Sequence, residues 1–600
     1  MHLSKRAANN EHAGSSFRLL PQSVVRILLL VTTATAALPA VPEFAVFTGS
    51  GAFHAYPAYT PVGASQYAVS DDVLRAVITD LGHGQWRLQL TPLKENLVTV
   101  FFPWQSQRAP LDNDIANDIF YYPNLLGRTE RAVNRNSDWT WYGSTYPGPA
   151  AAPLVVMADP LSAKIIAATN WPPKTVAPLY AAQRMVLRYE DVVPVTDSAT
   201  YQALIAAVTG NATVGNVPWQ KALDLYRSWL DASMGKITYP SWMWEGQGML
   251  NIQLQSYQTI AAVDKVWQPL KDMYPWVLMW GQMSPYPGGS CCGIDPATNR
   301  YYPTLPRMDS RFLPCLPQWV QRIVRQGYHA GFYSAPYSHL YGSKPSARLD
   351  MPADLSQFVE DIKANRSYGV NSYYLDTFAR EYWGQPASIV TAFSAGALPK
   401  DAMTEGIVDV YPVPGLVSGA LAGGASCGAP SKLPEACAVT TFPPFVRYLL
   451  NDRLIYWGES NDDGQFWGLS APTGCDYATS CANGTCHYGV ERQILLTGAR
   501  IEFRPGRGNP VLDAIISERQ RVGWWRREPR YLATWGLTLT GIPNSSRVEI
   551  SRFEDITGAN LLAISNPNMI SGLSFELDGI PYAVPARAVA IVEAADVLKQ

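Results

Sequence analysis

The stretch "VNSYYLDTF", residues 370–378, carries the strongest indication of the fold of this 600-residue chain. A short aromatic and apolar run stops at Asp376, and the residues that follow change to a helix-like pattern. A run of this length, bounded by polar residues, is typical of a buried strand. The carboxylate of Asp376 would then lie at the carboxyl end of that strand, where parallel barrels carry their reacting groups.

A second carboxylate follows at the spacing of one βα unit. The segment "DAMTEGIVDV", residues 401–410, is also strand-like, and its Glu405 lies 29 residues after Asp376. One strand, helix and strand unit takes about 30 residues. The spacing therefore predicts two neighbouring strands that bring both carboxylates to one end of a barrel.

The central region alternates strand-like and helix-like segments, which predicts a parallel sheet covered by helices. The predicted strands are "WMWEGQGML", "WVLMWGQM", "HAGFYSAPY", "VNSYYLDTF", "DAMTEGIVDV", "RLIYWGES" and "ARIEFRP". Seven strands in this length favour a (β/α)8 TIM barrel over a doubly wound sheet. The flanking regions alternate with period two and are rich in turn residues, which indicates antiparallel β-sandwich domains.

We therefore predict an α/β protein in which a (β/α)8 TIM barrel lies between an N-terminal antiparallel β-sandwich domain and a small C-terminal β-sandwich domain. The predicted segments are a signal peptide or membrane anchor (1–40), the N-terminal sandwich (41–215), a linker helix (216–235), the catalytic barrel (236–528) and the C-terminal β domain (529–600).

The amino-terminal segment predicts export. A stretch with four basic residues runs into "ILLLVTTATAALPA", residues 27–40, which ends in small residues as a signal peptide does. An uncleaved anchor is the alternative, and only in that case would a membrane be a partner. Eight cysteines, an even number, favour disulfide bonds over a metal site, and sequons at Asn211, Asn365, Asn483 and Asn544 fit a secreted glycoprotein.

The overall charge excludes one class of partner. The net charge is −2, with no strong block of either sign, so we expect no nucleic-acid partner. Neither a metal nor a cofactor is predicted, because no phosphate-binding loop and no paired metal-ligand spacing occur.

Paired carboxylates and strand-end aromatics together point to sugar chemistry. Glycosidic cleavage uses two carboxyl groups, one as nucleophile or base and the other as acid, and aromatic rings stack on the apolar faces of sugars. The predicted substrate-binding residues are Trp244, Trp280, Gln282, Tyr333, His339, Trp457, Glu459, Asp462 and Arg504. The predicted partner is therefore a glycan or glycoconjugate.

The strand ends "YYLDTFARE" and "AMTEGIVDVY", between β-rich flanks, resemble those of barrel glycoside hydrolases related to endo-α-N-acetylgalactosaminidases. They resemble more closely an uncharacterised family of predicted sugar hydrolases that shares the "YLD" and "TEG" strand ends. This resemblance implies cleavage of α-glycosidic bonds with retention, with Asp376 as nucleophile and Glu405 as general acid/base.

Several alternatives stand beside that hypothesis. Asp376 would also serve as a helix N-cap, and Glu405 as a solvated loop residue. Melibiase-like α-galactosidases take the acid from a later strand, which makes Glu459 or Asp462 a rival for Glu405. A non-catalytic carbohydrate-binding or cell-surface protein on a hydrolase-like barrel is the alternative function. A secreted hydrolase of another bond type is a third, less supported one.

Overall fold

The structure is a computed structural model. It describes residues 41–104, 111, 114, 116–123, 128–131, 140, 141, 146, 150, 152–170, 174–181, 184–210, 218–234, 242, 246–253, 260–280, 316–334, 356, 360, 363–375, 402–404, 417–421, 445–450, 455–460, 495, 498–503, 510–527, 529–533, 539, 540, 549–565, 573–577, 580–584 and 589–594. None of the helices in this part of the chain is long and apolar enough to cross a membrane. The predicted signal segment, residues 1–40, lies outside the described residues.

Two antiparallel sheets form the amino-terminal part of the described chain. The first has the strand order β10-β13-β14-β7-β1-β2, and the second β3-β4-β5-β6-β15-β12-β11-β8-β9. Their strands are β1 (Phe44–Thr48), β2 (Phe53–Tyr56), β3 (Thr60–Gly63), β4 (Gln66–Ser70), β5 (Leu74–Gly82), β6 (Gln85–Pro92), β7 (Leu97–Trp104), β8 (Ile119–Tyr122), β9 (Arg128–Arg131), β10 (Thr140–Trp141), β11 (Leu154–Ala158), β12 (Ser162–Ala168), β13 (Val176–Ala181), β14 (Arg184–Tyr189) and β15 (Ala199–Thr209).

The two sheets pack face to face, as expected for a sandwich. The ring of Tyr189 in β14 lies 4.7 Å from that of Tyr201 in β15, between centroids, so the sheets meet at these residues. In β5, the buried Leu74, Ala76 and Ile78 alternate with more exposed residues. This period of two is what a strand with one buried face requires.

The smaller sheet is buried on both faces. Phe44 and Val46 belong to the main core, whereas Phe47 packs with Phe101 and Trp104 in a separate cluster. A strand covered on both faces has no solvent side to carry polar residues. This explains the apolar run Phe44–Phe47 of β1.

Helix α1 (Pro218–Met234) follows the sandwich and packs on β11, β12 and β15. Its first residue is proline, which is well tolerated there because the first helical N–H needs no intrahelical partner. Trp219, Leu223, Tyr226 and Leu230 are buried along one face. Their spacing of three to four residues is that of an amphipathic helix.

Eight parallel strands close into a barrel in the central part of the chain. They are β16 (Gly248–Gln253), β17 (Trp276–Trp280), β18 (His329–Ser334), β19 (Ser372–Leu375), β20 (Ala402–Thr404), β21 (Val417–Leu421), β22 (Ile455–Ser460) and β23 (Arg500–Phe503). The associated helices are α2 (Ile260–Trp267) and α3 (Leu316–Arg325) on either side of β17, α4 (Phe445–Leu450) before β22, and α5 (Pro510–Arg521) after β23. Residues 363–367 are also helical, between β18 and β19.

The stagger of the strands can be followed once around the barrel. One ladder of paired residues joins Ile252, Met279, Phe332, Tyr373 and Ala402. Beyond the irregularity after Ala402, a second joins Thr404, Ala420 and Tyr456, and a third joins Gly458, Ile501 and Gly248. Continued once around the barrel, a single ladder would start two positions after Ile252 and end two positions before Gly248. The displacement along β16 is therefore eight residues, which equals the shear of (β/α)8 barrels.

Two short antiparallel sheets follow helix α6 (Trp524–Arg527). Their orders are β24-β26-β27-β30 and β25-β28-β29. The strands are β24 (Arg530–Ala533), β25 (Leu539–Thr540), β26 (Glu549–Glu554), β27 (Asn560–Ser565), β28 (Leu573–Leu577), β29 (Ile580–Val584) and β30 (Val589–Ala594). Glu518 of α5 accepts a hydrogen bond from the backbone N–H of Ile591 in β30 at 2.8 Å, which ties the larger sheet to the last barrel helix.

Three details differ from the sequence predictions. Strand β21 was not predicted, because "VSGAL" is short and rich in small residues, which have low strand propensity. The first barrel strand begins at Gly248, not at position 242. Asn365 is fully buried, so its sequon is not an accessible glycosylation site in the folded chain.

Candidate functional site

The carboxyl ends of β19 and β20 lie side by side. Leu375, the last residue of β19, pairs with Thr404, the last residue of β20. Asp376 and Glu405 are the next residues of the chain after this pair, and both lie outside the described residues. The last described residues before the two candidate carboxylates are thus paired on two neighbouring parallel strands.

Two predicted binding residues belong to one ladder at the same edge. Gln253, at the end of β16, pairs with Trp280, at the end of β17. Tyr333 in β18 pairs with Tyr374 in β19. Because Met279 pairs with Phe332, Trp280 and Tyr333 occupy the next step of the same ladder. Residues in register on parallel strands share one face of the sheet, so these four backbone positions form a row across β16 to β19.

Two more predicted residues occupy the other side of the barrel. Trp457 and Glu459 of β22 pair with Arg500 and Glu502 of β23, respectively. Glu502 pairs in turn with Met249 of β16. Met249 shares its face with Gln253, because residues separated by an even number lie on the same side of a strand. Register therefore places Trp280, Tyr333, Trp457 and Glu459 on one face of the barrel sheet.

The remaining predicted binding residues lie outside the described residues. Gln282 and Asp462 each come two residues after a barrel strand, and Arg504 directly follows β23. His339 comes five residues after β18.

Trp244 was predicted to lie near the carboxyl end of a strand over residues 242–250. Strand β16 begins only at Gly248, so Trp244 precedes that strand in the sequence, and it lies outside the described residues. Nearby, Trp242 stacks on His329, the first residue of β18, with 4.0 Å between ring centroids. The aromatic run before β16 therefore starts, at Trp242, beside the amino edge of the barrel, opposite the carboxyl ends of β19 and β20.

His329 is held in a defined protonation state at that amino edge. The side-chain oxygen of Asn371 accepts a hydrogen bond from the backbone N–H of Ala330 at 2.8 Å, which turns its Nδ2 toward Nδ1 of His329 at 3.2 Å. An amide nitrogen only donates, so Nδ1 accepts and the imidazole is neutral. Burial lowers the pKa of His329 to about 4, in agreement with that arrangement.

Two buried arginines, Arg500 of β23 and Arg519 of α5, lie at the amino edge of the barrel near the start of β23. Arg500, the first residue of β23, donates to the carbonyl of Gly246 at 2.9 Å and lies 4.2 Å from the ring centroid of Trp525. Arg519 donates to the carbonyl of Ala499 at 2.7 Å and faces the same ring at 5.0 Å. Burial lowers the pKa of Arg519 below its ordinary value. These contacts fix the amino edge through hydrogen bonds and ring packing.

The described part of the chain holds no group of three or more His, Cys, Asp or Glu side chains that could bind a metal ion. All eight cysteines lie outside the described residues, so their predicted disulfide bonds stay predictions.

Three residues near the carboxyl ends of these strands share that face but were not among the predicted binding residues: Gln253, Tyr374 and Glu502. Gln253 was missed because the strand over 242–250 was placed too early, which moved its carboxyl end to Leu250. Glu502 stands in "RIEFR", where polar and apolar residues alternate, and that period would have marked it as facing the same way as Arg500.

Comparison with known proteins identifies the fold. No protein-family model matches the chain, and no curated protein matches its sequence. Among solved structures, the ligand-free α-N-acetylgalactosaminidase NagBb from Bifidobacterium bifidum is 12% identical, with a TM-score of 0.54 over 86% of this chain and 92% of that one. Its GalNAc complex is 11% identical, with a TM-score of 0.53 over 90% and 94%. The chain therefore shares the fold of this α-N-acetylgalactosaminidase.

Proposed function

We propose that the protein is a glycoside hydrolase that cleaves α-glycosidic bonds with retention, with Asp376 as nucleophile and Glu405 as general acid/base. The observation that carries the proposal is the pairing of Leu375 with Thr404 at the ends of adjacent parallel strands. Each candidate carboxylate is the next residue after one member of that pair.

The strand spacing favours retention. Neighbouring strands lie about 4.8 Å apart, and in-register residues share a face. If the ladder continued by one residue, the two carboxyl groups would be separated by about one strand spacing. Retaining enzymes hold their carboxyl groups about 5 to 5.5 Å apart, whereas inverting enzymes need about 6.5 to 9.5 Å to admit a water molecule.

The proposed chemistry is a double displacement. Asp376 attacks the anomeric carbon while Glu405 protonates the leaving oxygen, and a covalent glycosyl-enzyme ester forms. Glu405 then removes a proton from water, which attacks the same carbon and releases Asp376. Trp280, Tyr333 and Trp457 would stack on the sugar, and Gln282, His339, Glu459, Asp462 and Arg504 would bind its hydroxyl groups.

The proposed architecture is a complete (β/α)8 barrel (236–528) between a β-sandwich domain (41–215), joined through a linker helix (216–235), and a small β-sandwich domain (529–600). The closed ring of eight parallel strands and its shear support this division. The likeness to an α-N-acetylgalactosaminidase supports an α-linked glycan as substrate. Export through residues 1–40, with disulfide bonds, belongs to the same proposal.

A panel of aryl α- and β-glycosides tests this function. Wild-type protein should release the aryl group from at least one α-glycoside, and NMR should show the α-anomer as the first sugar product. Asp376→Asn should remove this activity. Full activity in Asp376→Asn, or β-anomer as the first product, would contradict the proposed mechanism.

The identity of the acid requires a separate comparison between Glu405→Gln and Glu459→Gln. Loss of the true acid slows substrates with poor leaving groups far more than dinitrophenyl glycosides, which need no protonation. We expect this dependence on the leaving group for Glu405→Gln only. If Glu459→Gln shows it instead, Glu459 is the acid and Glu405 a binding residue.

A further inference from the structure

Helix α4 is short but buried, and it leads directly into a strand of the candidate site. Phe445, Tyr448 and Leu449 are at most 4% exposed. Only four residues separate the end of α4 from the start of β22, the strand that contains Trp457 and Glu459. A chain of four residues spans at most about 14 Å, so we expect a displacement of α4 to move the start of β22.

Aromatic rings join α4 to the sandwich. Trp219 of α1 lies 5.8 Å from Phe445 and 5.4 Å from Tyr448, between ring centroids. Tyr121 of β8 stacks on Trp219 at 5.3 Å and on Phe445 at 5.9 Å. These four rings form one continuous contact from the nine-stranded sheet to α4.

A hydrogen bond also restricts the rotation of α4 about its own axis. The hydroxyl of Tyr448 donates to Oδ1 of Asp224 in α1 at 2.9 Å. Arg227 lies one turn further along α1, donates to the same oxygen at 3.3 Å and covers the Tyr448 ring at 5.4 Å. Burial first, and the charge of Asp224 second, raise the pKa of Tyr448, so its hydroxyl remains a donor at neutral pH.

The C-terminal sheet contacts both helices. The guanidinium of Arg447 in α4 lies 5.6 Å from the ring centroid of Tyr531 in β24. Gln220 of α1 donates through Nε2 to the carbonyl of Leu532 in the same strand at 3.3 Å. Helix α4 is therefore held from two sides by elements outside the barrel.

We propose that Tyr448 is a positioning residue, which through its contact with Asp224 fixes α4 and thereby the placement of Trp457 and Glu459 on β22. The part of this inference that concerns catalysis rests on the proposed function. Because the proposed reacting carboxylates, Asp376 and Glu405, follow β19 and β20 in the sequence, a displaced β22 should weaken sugar binding more than it slows bond cleavage.

The variant Tyr448→Phe removes the hydroxyl and keeps the ring. Its matched control is Tyr56→Phe, because the hydroxyl of Tyr56 donates to Asp71 at 3.1 Å within the sandwich and away from α4. We expect Tyr448→Phe to raise KM about tenfold on an activated aryl glycoside, with kcat within a factor of two, since small displacements of binding groups cost that much. Tyr56→Phe should leave both constants unchanged.

Hydrogen–deuterium exchange separates this inference from the proposed function. In Tyr448→Phe, the amides of residues 455–460 should exchange about tenfold faster, whereas those of residues 329–334 should not change. Equal exchange at residues 455–460 in Tyr448→Phe and Tyr56→Phe would overturn the inference, as would faster exchange with an unchanged KM. Wild-type protein without activity on any glycoside would overturn the proposed function, and the coupling of α4 to β22 would be decided by exchange alone.

Discussion

The two edges of the barrel differ in what their residues do. At the amino edge, His329 and Arg500 begin their strands, and their side chains are engaged by Trp242, Asn371 and Trp525. At the carboxyl edge, most of the strands end in polar or aromatic residues, and each end leads into a segment that contains predicted site residues or other loop residues. Substitutions at the amino edge should therefore change stability, and those at the carboxyl edge activity. Four experiments, in order of decreasing effect, test this difference.

Asp376→Asn should have the largest effect, and on activity alone. Removal of the nucleophilic carboxylate should lower kcat roughly 10⁴-fold, which corresponds to about 5.5 kcal/mol of activation free energy. The free energy of unfolding, measured by urea titration, should change by less than about 1 kcal/mol if the residue is not a helix cap. A loss of stability with retained activity would identify Asp376 as a cap.

Gly248→Ala should strongly destabilise the chain. Gly248 has φ 150°, and a Cβ atom there would lie 2.0 Å from the carbonyl oxygen of Ile501 in the neighbouring strand. Because that contact is with backbone, we expect a loss of roughly 4 kcal/mol or more in the free energy of unfolding. Gly51→Ala is the control: its φ is 85° but nothing lies within 4 Å, so only about 1 kcal/mol of backbone strain should appear. Similar losses in both variants would show that β16 and β23 are not in close contact.

Arg500→Met should destabilise the amino edge by about 2 to 4 kcal/mol, because it removes a buried hydrogen bond and a cation–π contact. Kinetic constants of the folded variant should stay at wild-type values. Arg75→Met, at an exposed position in β5, should change the urea midpoint little. A large fall in kcat/KM without loss of stability would place Arg500 in the functional site.

His329 should make stability fall on acidification. Its folded pKa of about 4 is below the ordinary value of 6.5, so the unfolded chain binds more protons between these limits. Stability from the neutral ring is complete above about pH 6.5 and is lost as the pH falls toward 4. Because the ring is partly solvated, we expect only about 1 to 2 kcal/mol.

Urea midpoints at pH 7 and pH 4.5 measure this contribution. His329→Phe keeps a ring beside Trp242 but has no titrating group, so it should lose less stability than wild type over that interval. An equal loss in both proteins would contradict the proposed role of His329.

Much of the barrel was accessible from pattern alone. The segments "VNSYYLDTF" and "DAMTEGIVDV" were recognisable as strands, although the described strands within them, Ser372–Leu375 and Ala402–Thr404, are shorter. The flanking sheets were recognisable from their period of two, as β5 and β6 illustrate. Strand β21 was missed because Gly419 and Ala420 lack the branched side chains that usually mark a strand.

The sequence by itself determined which residue types stand at which spacing. It placed Asp376 and Glu405 one βα unit apart, because the length of such a unit is set by local geometry. Only the tertiary structure decided which residues share a face. Strand register pairs Gln253 with Trp280 and Glu459 with Glu502, although the two members of each pair are far apart in the sequence.

The position of Trp242 at the amino edge and the contacts of α4 with α1 likewise became known only from the tertiary structure. The ring of Trp242 meets His329 across 87 positions of sequence, and Tyr448 meets Asp224 across 224. Local propensity has no information about such contacts, because they form only when closure of the barrel brings remote segments together. The residue types that follow the strand ends are therefore readable in the sequence, whereas the order in which those ends lie around the barrel is a property of the tertiary structure.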